Sequence, residues 1–210
     1  MLPDQTGIEV FKKHISVSRE TEDKLKCYAD LLIKWNKAIN LVSKNTLPDL
    51  WIRHFLDSAQ LIKYLSETEH KKTIVDFGSG AGFPALVLAI LGAGEVHAME
   101  SDLKKSMFLR EVSRETDAGL IVHNNRIEKV EPFAVDVFTA RAFAPLSKIL
   151  DFSQSFLKAS KGKKDPEFLL LKGRNVDEEL TEAEKKWTMK VSRYNSLSDD
   201  DAAILNLKLL

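Results

Sequence analysis

With 210 residues, 44% of them hydrophobic and 30% charged, the chain has the size and composition of one α/β domain with an appendage and a full core. Its 31 basic and 31 acidic residues cancel, which excludes a protein that coats naked nucleic acid through bulk charge and confines any RNA contact to a local patch. The single cysteine, Cys27, excludes an intramolecular disulfide and suits a reducing cytoplasm; residues 1–17 lack the continuous apolar core of a secretory signal, and no stretch approaches a membrane span.

Residues 1–70 read as helical. From 19 to 39, Leu25, Tyr28, Leu32, Trp35 and Ile39 recur at steps of three and four, one stripe of an amphipathic helix. A second helix is predicted to open near Thr46, with Pro48 in its first turn and Trp51, Phe55, Ala59 and Ile62 as its apolar set. Both stripes are expected to pack onto the main domain. Arg53 and His54 flank the second stripe. Arg53 either pairs with Asp57 at i+4 or reaches a phosphate or base, and His54 is either a buried, satisfied ring or a group at a ligand's mouth.

Residues 73–77 form a short apolar strand, followed by Gly78-Ser79-Gly80-Ala81-Gly82-Phe83-Pro84. Three alternate glycines allow a sharp turn and close approach of a ligand to the backbone. Pro84 fits the first helical position, where its missing N–H costs nothing. Such a loop at the carboxyl end of a strand is a nucleotide-type binding site. The spacing is not that of a dinucleotide fingerprint, because Phe83 stands where a third glycine would be, and no Gly-Lys-Ser/Thr follows for a Walker A loop. Asp76 with the three glycines is similar to motif I of class I S-adenosylmethionine-dependent methyltransferases. Asp76 either anchors the loop through backbone N–H groups or meets the methionine amino group through water.

Beyond the loop, candidate strands at 95–99, 119–123, 135–139, 167–172, 189–194 and 203–209 alternate with helices near 84–92, 102–116, 146–159 and 176–187. This alternation predicts a mostly parallel, doubly wound sheet of seven strands, with the last two forming an antiparallel hairpin. Glu100 ends the second strand, 20 residues after Gly80, where an acid either accepts hydrogen bonds from the ribose hydroxyls of a nucleoside or stands as a solvated strand-end carboxylate. After the third strand, Glu128 is placed to meet an adenine amino group and the Ile127 backbone its ring edge; as a plain alternative, Glu128 is an exposed acid at a helix start. The segment Thr139-Ala140-Arg141-Ala142-Phe143-Ala144-Pro145 follows the fourth strand, on the substrate side, and Lys172-Gly173-Arg174 follows the fifth.

These loops narrow the chemistry. No Asn/Asp-Pro-Pro-aromatic loop is present for methylating an exocyclic amine. Cys27, in the amino-terminal helix, is far in sequence from the loop where attack at a pyrimidine carbon 5 would need a nucleophile. What remains needs little covalent help, and guanine N7 is compatible with it: it carries a free lone pair and can attack a sulfonium methyl in line, as an SN2 transfer, without losing a proton. Catalysis then rests on positioning and electrostatics rather than on a general base.

Asn40-Leu41, Arg53-His54-Phe55-Leu56-Asp57-Ser58, Asp76-Phe77-Gly78-Ser79-Gly80-Ala81-Gly82-Phe83-Pro84, Phe108-Leu109-Arg110-Glu111, Thr139-Ala140-Arg141-Ala142 and Lys172-Gly173 occur in one order. Together they closely resemble the RsmG family, also called glucose-inhibited division protein B, from about residue 20 to the end. The resemblance implies an α/β class I methyltransferase (Rossmann-like) fold, with an amino-terminal helical extension over 1–70 and the methyltransferase domain over 71–210. It implies S-adenosyl-L-methionine as donor and a guanine in the decoding-region loop of bacterial 16S rRNA, alone or in the small ribosomal subunit, as acceptor. Cofactor contacts carry over to Gly78, Phe83, Ile127, Glu128 and Arg141, with Glu100 on the ribose, beside Asp76 and Gly80 of the loop itself. Arg141 and Lys172 are expected to hold the target nucleotide, with Arg53 and His54 beside them. Lys12, Lys13, Lys104, Lys105, Lys161, Lys163 and Lys164 are candidate RNA contacts or solvated surface charges, and the tract from Lys161 to Pro166 is a flexible RNA contact or a connector. No metal site is expected, and nothing demands more than a monomer.

Overall fold

The computed structural model describes residues 5–65, 71–162 and 165–210. Lys163 and Lys164, and the expected boundary at residue 70, lie outside them. Seven strands form one sheet: β1 (Thr73–Phe77), β2 (Glu95–Met99), β3 (Ile121–His123), β4 (Val137–Arg141), β5 (Glu167–Lys172), β6 (Met189–Asn195) and β7 (Ala203–Leu209), in the order β3-β2-β1-β4-β5-β7-β6. β1 to β5 pair in parallel, and β7 runs antiparallel to both β5 and β6. The strand order reverses between β1 and β4. An open sheet leaves its ligand crevice at the carboxyl ends of such a pair.

Two strand boundaries differ from expectation. β3 starts two residues late because Asp117 and Gly119 take positive φ values of 48° and 66° and the Leu120 N–H goes to Ser113 Oγ at 2.9 Å. β4 is displaced towards its carboxyl end. The Val135 N–H is taken by Ser160 Oγ at 2.9 Å, and pairing with β1 runs from Val137 opposite Ile74 to Ala140 opposite Phe77. Thr139, Ala140 and Arg141 therefore belong to the strand rather than to the loop after it. A side-chain period of two puts Thr139 and Arg141 on one face of the sheet, with Asp76 directly opposite Thr139.

That face is covered by α1 (Gln5–His14), α2 (Arg19–Asn36), a helical segment α3 over 51–64, α4 (Ala85–Ile90) and α5 (Leu103–Thr116). The opposite face carries α6 (Leu146–Ala159) and α7 (Val176–Glu184). α2 stops before Ile39, because the buried Asn36 side chain accepts the N–H groups of Leu41 and Val42 and turns the chain back. α3 does not open at Thr46: Lys44–Thr46 is an isolated 3₁₀ turn, Pro48 lies in the link, and the helix begins at Trp51. Trp51–Leu56 is π-helical, a wide turn of the kind found where function distorts a helix. Lys161 follows α6 in the link that leads to β5. Lys12 is paired with Glu22 at 3.2 Å and Glu9 at 3.5 Å. Among the described residues no helix is long and apolar enough to cross a membrane.

The amino-terminal helices have no core of their own. Leu25, Tyr28 and Leu32 of α2 and Trp51 and Phe55 of α3 bury in one continuous cluster with Phe83, Leu86 and Phe108. The Tyr28 ring lies 5.1 Å from Phe83 and 5.0 Å from Phe55, and its hydroxyl donates to the Ala81 carbonyl at 2.5 Å. One α2 side chain thus fixes the backbone of the glycine loop. Tyr28→Phe leaves that carbonyl without its buried partner and is expected to lower unfolding free energy by about 1–2 kcal/mol, measured by urea titration.

Candidate functional site

The glycine loop is held at both ends by backbone bonds. The N–H groups of Gly78 and Ser79 both donate to the Met99 carbonyl, at 3.0 and 3.1 Å, and the Gly82 N–H donates to the Ser79 carbonyl. Gly78 and Gly80 have φ values of 67° and 55°, a region that costs most other residues strain. A Cβ on Gly78 would collide with the Phe143 ring, whereas one on Gly80 would meet only the Gly78 carbonyl oxygen, at an ordinary 3.7 Å. The Gly80 N–H donates to Glu100 Oε2 at 2.9 Å, and Glu100 Oε1 accepts from the Asp102 N–H at 2.8 Å. The acid at the end of β2 is thereby fixed in orientation. Each of its oxygens keeps a lone pair for a hydroxyl donor.

Above this loop is a cavity of about 430 Å³ whose walls include Gly78, Gly80, Glu100, Ile127, Glu128 and Phe143. Five expected cofactor residues thus meet in one place, and the open Gly80 beside an oriented acid and the Ile127–Lys129 turn fits a nucleoside. Lys105 lines the same cavity.

Asp76 lies under the loop rather than in the cavity. It is fully buried on β1; its Oδ1 accepts the Thr139 hydroxyl at 2.8 Å, and its Oδ2 has no hydrogen-bond partner. The expected anchoring of the loop N–H groups by Asp76 does not occur, since none of them donates to this carboxyl. The Ser79 hydroxyl bonds the Asp76 backbone carbonyl instead. Burial pushes the Asp76 pKa up to about 7, opposed by its hydroxyl partners and by the nearby Arg141.

A second cavity of about 580 Å³ lies on the other side of residues 142–144 and is lined by Arg53, His54, Asp57, Arg141 and Lys172 among others. Its centre is Arg141. Nη1 donates to Asp57 Oδ2 at 3.1 Å and to the Arg53 carbonyl at 3.0 Å, and Nη2 donates to His54 Nδ1 at 2.6 Å. The guanidinium carbon stands 5.1 Å from the centre of the Phe83 ring. An arginine can only donate, so His54 Nδ1 accepts, and its Nε2 carries the proton shared with Thr46 Oγ1 at 2.8 Å. Burial, with Arg141 and Arg53 adding to it, lowers the His54 pKa to about 3. His54 is a neutral acceptor and not a proton shuttle at neutral pH.

The expected pairing of Arg53 with Asp57 does not occur. Arg53 reaches Asp199 at 3.5 Å, while Asp57 takes Arg141 and the hydroxyl of Ser198, the latter at 2.6 Å. Phe83 lines neither cavity; it is buried between Tyr28 and His54 and supports Arg141 from below. Arg141, expected among the cofactor contacts, lines the larger cavity. Lys172 is 93% covered by its surroundings, donating to the Ala144 carbonyl at 2.9 Å and to Glu179 at 2.6 Å. Sequence reasoning missed Asp57 as the partner of Arg141 and Thr139 as the partner of Asp76. The motif Arg-His-Phe-Leu-Asp-Ser contained the first signal; nothing local marked the second.

The two buried groups pull stability in opposite directions with pH. Asp76 binds a proton more tightly folded than unfolded, so its contribution is present below about pH 4 and is lost as pH rises towards about 7. His54 binds one less tightly folded, so its contribution is lost as pH falls from about 6.5 towards about 3. Asp76→Asn removes the first effect alone. Denaturant titrations across this range are expected to show the variant gaining stability relative to wild type as pH rises.

The family described as rRNA small subunit methyltransferase G, GidB, matches residues 21–205. Ribosomal RNA small subunit methyltransferase G of Rhodospirillum rubrum is 49% identical over 199 residues, covering 95% of this chain and 96% of that protein. The protein of the same name in Paramagnetospirillum magneticum is 49% identical over 202 residues, covering 96% and 95%. Among solved structures, an O-methyltransferase from Bacillus cereus in complex with SAH superposes with a TM-score of 0.59 over 96% of both chains at 12% identity, which shows the shared Rossmann-like methyltransferase fold. With its glycine loop, its strand order and nearly its whole length in agreement, the chain belongs to the GidB family of rRNA small subunit methyltransferases.

Proposed function

We propose that this protein, in the cytoplasm, transfers the methyl group of S-adenosyl-L-methionine to N7 of one guanine in the decoding-region loop of bacterial 16S rRNA. The observation that carries the reading is the pair of cavities at the carboxyl edge of the sheet, separated by residues 142–144. One is built for a nucleoside; the other is lined by cations and hydrogen-bonding groups. Residues 71–210 act as the methyltransferase domain, and residues 1–70 as the helical extension that supplies one wall of the acceptor side.

In this reading Gly78 and Gly80 let the backbone approach the cofactor, Glu100 takes the ribose hydroxyls, and Ile127 and Glu128 meet the adenine. Asp76, beneath the loop, faces the cationic methionine end. S-adenosyl-L-methionine, when bound, supplies an electrophilic methyl group. Guanine N7 has a lone pair and no proton to lose, so the chain needs no general base. The neutral, fully engaged His54 accords with that. Arg141 sits beside the acceptor with its guanidinium oriented by three bonds. Arg53, 48% exposed at its side chain, is free to swing to an RNA phosphate because its bond to Asp199 is long. Lys172 holds the backbone of the dividing segment in place, its charge paired with Glu179.

Incubation of labelled S-adenosyl-L-methionine with small subunits lacking the modification is expected to label one guanine, mapped by strand cleavage specific to 7-methylguanine. Transfer to another base, or none while the cofactor still binds, would overturn the reading. Arg141→Ala is expected to lower turnover by about 10²-fold, with a much smaller change in cofactor affinity, measured by calorimetry.

A further inference from the structure

We propose that the ring of Phe143 is the platform on which the acceptor guanine stacks. The inference rests on the reading that an RNA base enters the larger cavity. A base removed from its stack is held against an aromatic ring or an arginine plane, and the Arg141 plane is committed to three acceptors and lies over Phe83.

Among the described residues lining the larger cavity, two rings qualify, His54 and Phe143. His54 is buried, its face is packed 5.0 Å from the centre of Phe83, and both its nitrogens are committed. Phe143 is half-buried, whereas its neighbours Phe77, Phe138 and Phe156 are fully buried. Of Ala142, Phe143 and Ala144, the residues that line both cavities, it alone carries a ring. A base lying on it is therefore next to the cofactor side, which is where N7 has to be.

The ring is held in advance of any ligand. Its inner side rests on Gly78, where any Cβ would clash, and Phe77 and Phe152 stand behind it at 6.5 and 5.8 Å between ring centres. Ala142, the residue before it, adopts a φ of 50°, a left-handed conformation that costs an alanine strain and is kept where the surroundings over-determine it. Those surroundings are visible on the other side of the ring. Lys172 binds the Ala144 carbonyl, Glu179 accepts the Leu146 N–H at 2.7 Å, and the two side chains pair with each other. The segment is pinned two backbone positions apart, and the ring between the cavities is pre-organised.

The test compares Phe143→Leu, which keeps apolar bulk and loses the π-face, with Phe143→Tyr, which keeps it. Single-turnover methyl transfer to small subunits lacking the modification is measured beside cofactor affinity by calorimetry and thermal stability. Phe143→Leu is expected to slow transfer at saturating cofactor by about tenfold or more, the range of one lost base–aromatic stack, with melting temperature close to wild type and a change in cofactor affinity smaller than the change in rate. Phe143→Tyr is expected to restore most of the rate. Wild-type transfer by Phe143→Leu would overturn the inference, and so would a joint loss of rate and cofactor affinity that Phe143→Tyr does not repair, because the ring would then serve only to pack Gly78. A wild-type protein that methylates no guanine N7 in these subunits would overturn the function itself, a separate result.

Discussion

The Arg141 guanidinium holds the site together. From the end of β4 it reaches a carbonyl, an imidazole and a carboxylate of α3, and it lies against the Phe83 ring of the glycine loop. Asp57, its anionic partner, also binds Ser198 in the β6–β7 turn and the Gln60 amide, which in turn reaches Ser196. Four segments distant in sequence are thus joined through one planar cation. Arginine suits this place because its donors are fixed in a plane and it never loses its charge. A lysine would offer a point charge and could not span three acceptors in that geometry.

This arrangement explains why α3 is distorted and why His54 is neutral. The Arg53 carbonyl is drawn to Arg141 in the π-helical turn, a place where a side chain inserted among helical bonds is a known cause of irregularity. The same guanidinium raises the cost of charging His54, which is already buried. Asp76 lies on the same face of the sheet, and there burial outweighs the attraction of Arg141. The polar stripe beneath the helices therefore combines one permanent cation, one ring held neutral down to about pH 3 and one acid raised towards neutrality.

The chemistry proposed for the site suits such economy. A nucleophile that has no proton to shed asks for orientation, and the chain supplies rigid parts: a glycine loop bonded to the end of β2, an acid fixed by two amides, and a dividing segment pinned by Lys172 and Glu179. The helical extension contributes directly, since Tyr28 fixes the loop backbone and α3 supplies a wall of the larger cavity.

Much of the fold was legible because its signals are local. Alternate glycines report positive φ at Gly78 and Gly80, the stripe of Leu25, Tyr28 and Leu32 reports a buried helix face, and the acid at the end of β2 lines the cavity beside the loop. Backbone torsion and side-chain period are properties of a few consecutive residues, so the sequence by itself determined the strand–helix alternation, the loop and the residues that line the cavity above it. Partners were another matter. That β4 extends through Arg141, that Asp57 serves Arg141 rather than Arg53, that Thr139 holds Asp76, and that Phe83 supports while Phe143 divides two cavities all depend on pairs dozens of residues apart. Register between strands and the packing of α3 over the sheet decide those pairs, and neither leaves a trace in local spacing, so the tertiary structure alone decided them.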